Sequence, residues 1–328
     1  MAPHNSQAAD SPKSMRLARD LAGEFTDALD ALANGRKHHI ASVFSTLDKH
    51  LPGWLHERHL IVIAGRPAMG KSAFAQQVAE GVAGQQRTTI LFTLEMSGYE
   101  ITERSVARRA GVPIPALKTA DALTDDHWIK ITSALAQFAQ LPLLIDDASF
   151  DVAGMVNKVK AAAAGFEKAG LPPLGCIVVD YLQLVGAKAA NRTLEVGQVT
   201  SRLKRLAMEL SVPVIVLSQL NRGVESRTDK RPVLSDLRES GNIEQDADLV
   251  LFLYRDEYYD PATPDRGTAE VIAAKNRHGP TAQVKMAFLA ERVMFGDLAF
   301  DQIRAATQDA IVKAKATKAS TGCQDDWE

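Results

Sequence analysis

The sequence predicts an α/β fold with a mostly parallel central sheet covered by helices on both faces. Two observations predict it. From about residue 60 onward, short apolar runs alternate with segments of helical spacing, and strands separated by helices pair in parallel. The first run, "HLIVIA", feeds directly into "GRPAMGKSAF" at 65–74. A glycine-rich turn between a strand and a helix is a phosphate-binding element.

The elements follow in order. Residues 1–13 are small and polar, with Pro3 and Pro12, and are expected to be disordered. Leu17, Leu21, Phe25, Ala28 and Leu32 recur at helical spacing, and Asn34-Gly35 supplies a stop, so residues 14–37 read as a separate linker helix. Two readings of that helix stand equal: it packs on its own domain, or it docks on a neighbouring subunit. One domain is expected over 38–304. Strands are expected at 60–64, 89–93, 142–145, 175–179, 213–217, 248–253 and 270–274, and helices at 71–84, 98–110, 125–140, 152–168 and 194–210. The last runs crowd together, which predicts an antiparallel edge. Residues 305–328 are rich in Ala, Lys and Thr and then acidic, and read as a flexible tail.

Composition narrows the function classes. The 328 residues are 46% apolar, a globular value that allows a substantial core. There are 38 Lys plus Arg against 40 Asp plus Glu, so bulk charge gives no sign of nucleic-acid binding. A few basic loops lining a ring or groove are compatible with that balance. No run of about 18 apolar residues occurs, so no membrane span is expected. The N-terminus lacks the apolar core of a signal peptide. Cys176 and Cys323 have no metal-ligand spacing, and a reduced, cytoplasmic setting is expected.

Gly65, Gly70, Lys71 and Ser72 satisfy G-x-x-x-x-G-K-[ST]. The glycines let backbone N–H groups turn inward around phosphate oxygens, and the helix that follows points its N-terminus at the same anion. The expected nucleotide-binding turn comprises Gly65, Arg66, Pro67, Ala68, Met69, Gly70, Lys71, Ser72 and Ala73. Lys71 places a charge on the outer phosphates, and the Ser72 hydroxyl coordinates Mg²⁺. The implied ligands are ATP and Mg²⁺.

Three strand ends add polar groups. Asp180 closes "GCIVVD" and fits an acid of the magnesium shell; the plain alternative is a strand-end Asp in a turn. Glu95, in "ILFTLEMS", is placed to take a proton from attacking water, or else caps the helix that follows. Gln219, in "PVIVLSQLNR", either reports the γ-phosphate to the next loop or is a Gln in a turn.

Beyond these, "TLEMS", "VVDYLQL", "VPVIVLSQLNRGVE", "RPVLSDLRESGNIEQDADLVLFLYRDEYY" and "AAKNRHGPT" occur in that order. Together with the phosphate loop they closely resemble the C-terminal motor domain of DnaB-type replicative DNA helicases, over roughly residues 38 to 298. The resemblance implies a RecA-like fold, a homo-hexameric ring and ATP-driven 5′→3′ movement on single-stranded DNA. It implies Glu95 as catalytic base, Asp180 as metal-side acid and Gln219 as phosphate sensor. Lys275 and Arg277, in "KNRHG", match the pair that reaches the nucleotide of the adjacent subunit. Arg238, Glu239 and Gly241, in "LRESG", match the loop that holds the DNA backbone. From the residues alone, Arg238 is equally an arginine paired with Asp236 or Glu239 on a solvated turn. Only residues 1–37 precede the motor, so the family's N-terminal collar is expected to be missing, a layout similar to RepA-type plasmid helicases. Primase or a helicase loader is then a doubtful partner. The alternative function is an ATP-gated single-stranded DNA clamp or regulatory ATPase without processive unwinding.

Overall fold

The computed structural model describes residues 17–34, 40–119, 121–182, 185–186, 192–237 and 240–298. The segments expected to be disordered or tail-like, 1–13 and 305–328, lie outside them. The chain forms two compact units, Met1–Ile40 and Ala41–Glu328. The first contains one helix, α1 (Ala18–Ala33), with Asp20 in its first turn. Leu21, Phe25 and Leu29 recur every fourth residue on one face, with Leu17 in line just before the helix, and all four side chains are exposed.

The second unit is built on a nine-stranded sheet ordered β3-β2-β4-β5-β1-β6-β7-β8-β9. The strands are β1 (Leu60–Gly65), β2 (Thr88–Thr93), β3 (Leu143–Asp146), β4 (Leu174–Asp180), β5 (Val214–Gln219), β6 (Leu249–Tyr254), β7 (Thr268–Asn276), β8 (Ala282–Leu289) and β9 (Met294–Gly296). Neighbours among the first six pair in parallel, and β6 to β9 pair antiparallel. The expected parallel sheet with an antiparallel edge is what forms. All six residues of β1 are buried, as are all six of β6, because strands covered on both faces read as unbroken apolar runs. The sequence reading missed β8 because Val284, Met286 and Phe288 face inward while Gln283 and Lys285 face solvent. That alternation marks a strand covered on one face, not an apolar run.

The helices are α2 (Ser45–His50), α3 (Lys71–Ala83), α4 (Gly98–Ala110), α5 (Ile114–Thr119), α6 (Asp125–Ala139), α7 (Val152–Gly165), α8 (Arg192–Leu210) and α9 (Ser240–Asp246). The short α2, α5 and α9 were not expected, since six or seven residues carry too few turns to show a period. Their longer neighbours start where local chemistry allows. Ser97 accepts from Glu100 N while the Glu100 carboxylate accepts from Ser97 N, a reciprocal cap that opens α4. Asp151 caps α7 through Gly154 N at 2.7 Å.

Phe74 on α3 anchors this helix to the sheet's flank. It stacks on Phe44 at 4.8 Å and meets Phe295 of β9 edge-on at 5.2 Å. Glu80, also on α3, is buried between Arg108 at 2.6 Å and Arg109 at 2.8 Å on α4. Burial opposes the Glu80 charge, but the two guanidiniums hold its pKa below the ordinary value. The helix that begins at the phosphate loop is thus tied to the helix that begins just beyond Glu95. Among the described residues, no helix is long and apolar enough to cross a membrane.

Candidate active site

Four polar groups come together at the carboxyl ends of the parallel strands, where ligands bind in open α/β sheets. Gly65 ends β1 and is the register partner of Gln219, which ends β5. Asp180 ends β4 and is the partner of Thr93, which ends β2. Leu94 N donates to Asp180 O at 2.7 Å, so the backbone holds the following residue, Glu95, beside the buried aspartate.

The loop from Gly65 to Lys71 is shaped by conformations that most side chains resist. Gly70 has φ +90°, and a Cβ there would sit 2.9 Å from the Phe295 ring. A Cβ on Gly65 would meet the Leu253 carbonyl at 3.0 Å. Glycine at both positions lets the loop lie flat on the sheet edge and turn into α3. Lys71 is the first residue of that helix, and its Nζ donates to the Arg66 carbonyl at 3.1 Å.

A cavity of about 570 Å³ opens above the loop. Pro67, Ala68, Gly70, Lys71, Ser72, Ala73, Glu95 and Gln219 line it, which brings together most of the expected nucleotide-binding turn with the expected base and sensor. Burial lowers Lys71 to a pKa of about 8, although Asp180 and Glu95 oppose the shift. Burial raises Asp180, and the nearby Glu95 adds to that rise; the Ser72 hydroxyl donating to it and the charges of Lys71 and Arg104 oppose it. The residues therefore fit a nucleotide with Mg²⁺. The loop and the α3 N-terminus offer donors and positive charge, and the Ser72–Asp180 pair offers oxygens to a cation. Mg²⁺ takes one or two protein oxygens and completes its shell with phosphate and water. This agrees with the lack, among the described residues, of any three-residue His, Cys, Asp or Glu cluster able to hold a metal.

Not every residue of the turn faces the cavity. Met69 is buried in the core. The Arg66 side chain runs away from the phosphates, donating to Leu220 O at 3.0 Å and pairing with Glu225 at 2.7 Å. Both residues contribute main chain to the loop.

Lys275 and Arg277 lie elsewhere. Lys275 Nζ donates to Ala247 O at 2.7 Å and to Glu244 O. Arg277 N donates to Asp248 O at 2.9 Å, and its guanidinium donates to Gln245 O. They stand where β6 begins, at the opposite end of the sheet from the phosphate loop. Arg238 and Glu239 fall outside the described residues, and Gly241 lies in the first turn of α9.

Comparison with known proteins gives the family. Residues 39–297 match the model of the DnaB-like helicase C-terminal domain. The chain belongs to the DnaB-like helicase C-terminal domain family. The replicative DNA helicase DnaB of Pasteurella multocida (strain Pm70) is 42% identical over 280 residues, 83% of this chain and 59% of the relative. The replicative DNA helicase DnaC of Bacillus subtilis (strain 168) is 39% identical over 288 residues, 85% of this chain and 62% of the relative. The chain thus spans about three-fifths of each relative's length. Among solved structures, an isolated ATPase domain superposes with a TM-score of 0.79 at 37% identity, covering 87% of this chain and 100% of that one. A DnaB-like replicative helicase described with its primase interactions superposes at 0.77 and 36% identity, covering 87% and 67%. The fold is that of a RecA-like ATPase domain.

The cavity of this DnaB-like domain also contains residues that the sequence reading missed. Arg104 of α4 lines it, and its charge faces Asp180, Glu100 and Glu95 while burial lowers its pKa. Arg255 follows β6; it donates to the Ala68 carbonyl at 3.0 Å and lies over the Phe288 ring at 3.9 Å. Arg255 carried a usable signal, because it directly follows an apolar run, as Asp180 does. Arg104 and Phe288 carried none: one is an arginine within an amphipathic helix, the other an inward residue of an edge strand.

Proposed function

We propose that this chain is the ATP-hydrolysing motor of a replicative DNA helicase, a hexameric ring that moves 5′→3′ on single-stranded DNA and unwinds duplex. The observation that carries the reading is the convergence of Lys71, Ser72, Glu95 and Gln219 on one cavity, with Asp180 bonded to Ser72, in a chain whose relatives are named replicative helicases.

In this reading the main chain of Gly65–Ala73 cradles the phosphates and Lys71 neutralises the outer ones. Ser72 and Asp180 hold the cation's shell; when bound, Mg²⁺ offsets charge on the phosphate oxygens. Glu95 accepts a proton from the attacking water. Gln219 responds to the terminal phosphate from its place beside Gly65. Arg104 balances the carboxylates around that phosphate, and the Arg255–Phe288 stack offers a flat surface to the base.

One chain makes an incomplete site. Lys275 and Arg277 act on the neighbour's nucleotide, where Arg277 stabilises charge on the transferred phosphoryl group. Arg238, Glu239 and Gly241 hold the DNA backbone without reading sequence. The exposed apolar face of α1 supports docking of that helix on another subunit. Primase and a loader are partners proposed from likeness alone.

Strand displacement tests the reading. A fork with a free 5′ tail on the tracked strand should be unwound with ATP, and one offering only a 3′ tail should not. ATP-dependent binding of single strands with no displacement of either fork would replace the motor with a clamp.

A further inference from the structure

We propose that the Arg66–Glu225 ion pair is the link through which the phosphate loop moves the segment leading to the DNA-contacting loop, with both side chains acting as positioning residues. The inference rests on the motor reading above and assigns the coupling inside it.

Arg66 belongs to two structures at once. Its carbonyl accepts the Lys71 ammonium at 3.1 Å, inside the phosphate loop. Its guanidinium points the other way, where Nε and Nη2 converge on Glu225 Oε1 at 2.8 and 2.7 Å and Nη1 donates to Leu220 O at 3.0 Å. The arginine side chain is 10% exposed and the glutamate 42%. A charge-assisted contact with one buried partner is stiffer than a surface pair.

Glu225 sits on a short 3-10 turn, Arg222–Ser226, and its own segment is closed on itself. Leu220 and Leu237 form an antiparallel bridge. Asn221 N donates to Asp236 O at 2.9 Å, and Arg227 grips both Asp236 oxygens at 3.0 and 2.7 Å. Residues 220–237 therefore shift as one body. Leu237 directly precedes Arg238, so a shift of that body is passed to the proposed DNA loop. A phosphate drawing Lys71 off the Arg66 carbonyl frees that peptide to turn, and the guanidinium carries the turn to Glu225.

The experiment compares ATP turnover with and without oligo(dT) in wild type, Glu225→Gln, Glu225→Asp, Arg66→Glu, Glu225→Arg and the double charge swap. The expected result is that both conservative Glu225 variants keep unstimulated turnover and lose stimulation by at least about fivefold, the lower range of a coupling between sites. The double swap should recover stimulation relative to either charge-reversed single variant. Equal losses with and without DNA would assign the pair a structural role and overturn the link. Full stimulation in both conservative variants, or no recovery in the swap, would also overturn it. A wild type that DNA does not stimulate fails the motor reading itself, which separates that failure from failure of the pair.

Discussion

Lys71 and Arg277 stand at opposite ends of the central sheet. Lys71 follows the loop that leaves the carboxyl end of β1, whereas Arg277 N is bonded to Asp248 O, and Asp248 N to Leu60 O, at the start of that strand. The six residues of β1 alone span roughly 17 Å. Arg277 therefore cannot reach the phosphates held by its own Lys71, and a role in hydrolysis requires a second copy of the chain.

The separation predicts complementation. Arg277→Ala should keep nucleotide binding and lose turnover by about 10³-fold, the low end for an arginine acting on the transferred phosphoryl group. Lys71→Ala should lose nucleotide binding. A mixture should hydrolyse faster than either variant alone, because some interfaces join an intact Lys71 to an intact Arg277. Titrating one variant into the other checks this, and no gain at any ratio would remove the trans assignment.

Glu95→Gln keeps the shape of the side chain and removes its basicity. Nucleotide should bind within a few-fold of wild type while turnover falls by about 10²- to 10⁴-fold. Single-turnover measurements locate the loss in the chemical step. A comparable loss of affinity would assign Glu95 to binding instead.

Lys71 predicts proton uptake. Its pKa is lowered to about 8 by burial, and negative phosphates raise it on binding. Between pH 8 and 9 nucleotide binding should take up a fraction of a proton, and affinity should weaken as pH rises, approaching about tenfold per pH unit. Calorimetry in buffers of different ionisation enthalpy reads the uptake directly. An affinity flat across that range would mean that Lys71 is already fully charged before nucleotide arrives.

A stack of histidines predicts acid sensitivity. His59 lies between His56 at 4.6 Å and His278 at 4.3 Å, ring to ring. Its pKa falls to about 4, first through burial and then through His56, His278 and Lys204, with Asp248 opposing. The fold thus favours neutral His59. Its contribution is complete above the ordinary value of about 6.5 and is lost as pH falls toward 4. The thermal midpoint should drop over that interval, and His59→Phe, which keeps a ring but cannot titrate, should drop less. Parallel curves for both proteins would place the acid sensitivity elsewhere.

Much of this was legible because strand ends are simple signals. Asp180, Gln219 and Glu95 each follow an apolar run, and parallel pairing of those runs brings them to one edge. The resemblance to the helicase motor covered the same residues that the fold assembles around the phosphate loop. What was not legible depended on contacts made by topology. Phe288 reaches the cavity only because β7 and β8 fold back antiparallel and bring the β8–β9 edge against Gly70. Arg104 reaches it because Glu80 draws α4 onto α3 through Arg108 and Arg109, and no local pattern distinguishes it from a surface arginine. Glu225 belongs with these: its partner Arg66 is distant in sequence and adjacent only after β5 lies beside β1.

The most direct test of the central claim is steady-state ATP turnover with and without oligo(dT), with native mass measured in the same buffer. The account predicts strong stimulation by the single strand from a particle with the mass of a hexamer. A monomer that turns over ATP unaided, or a hexamer indifferent to DNA, would contradict it.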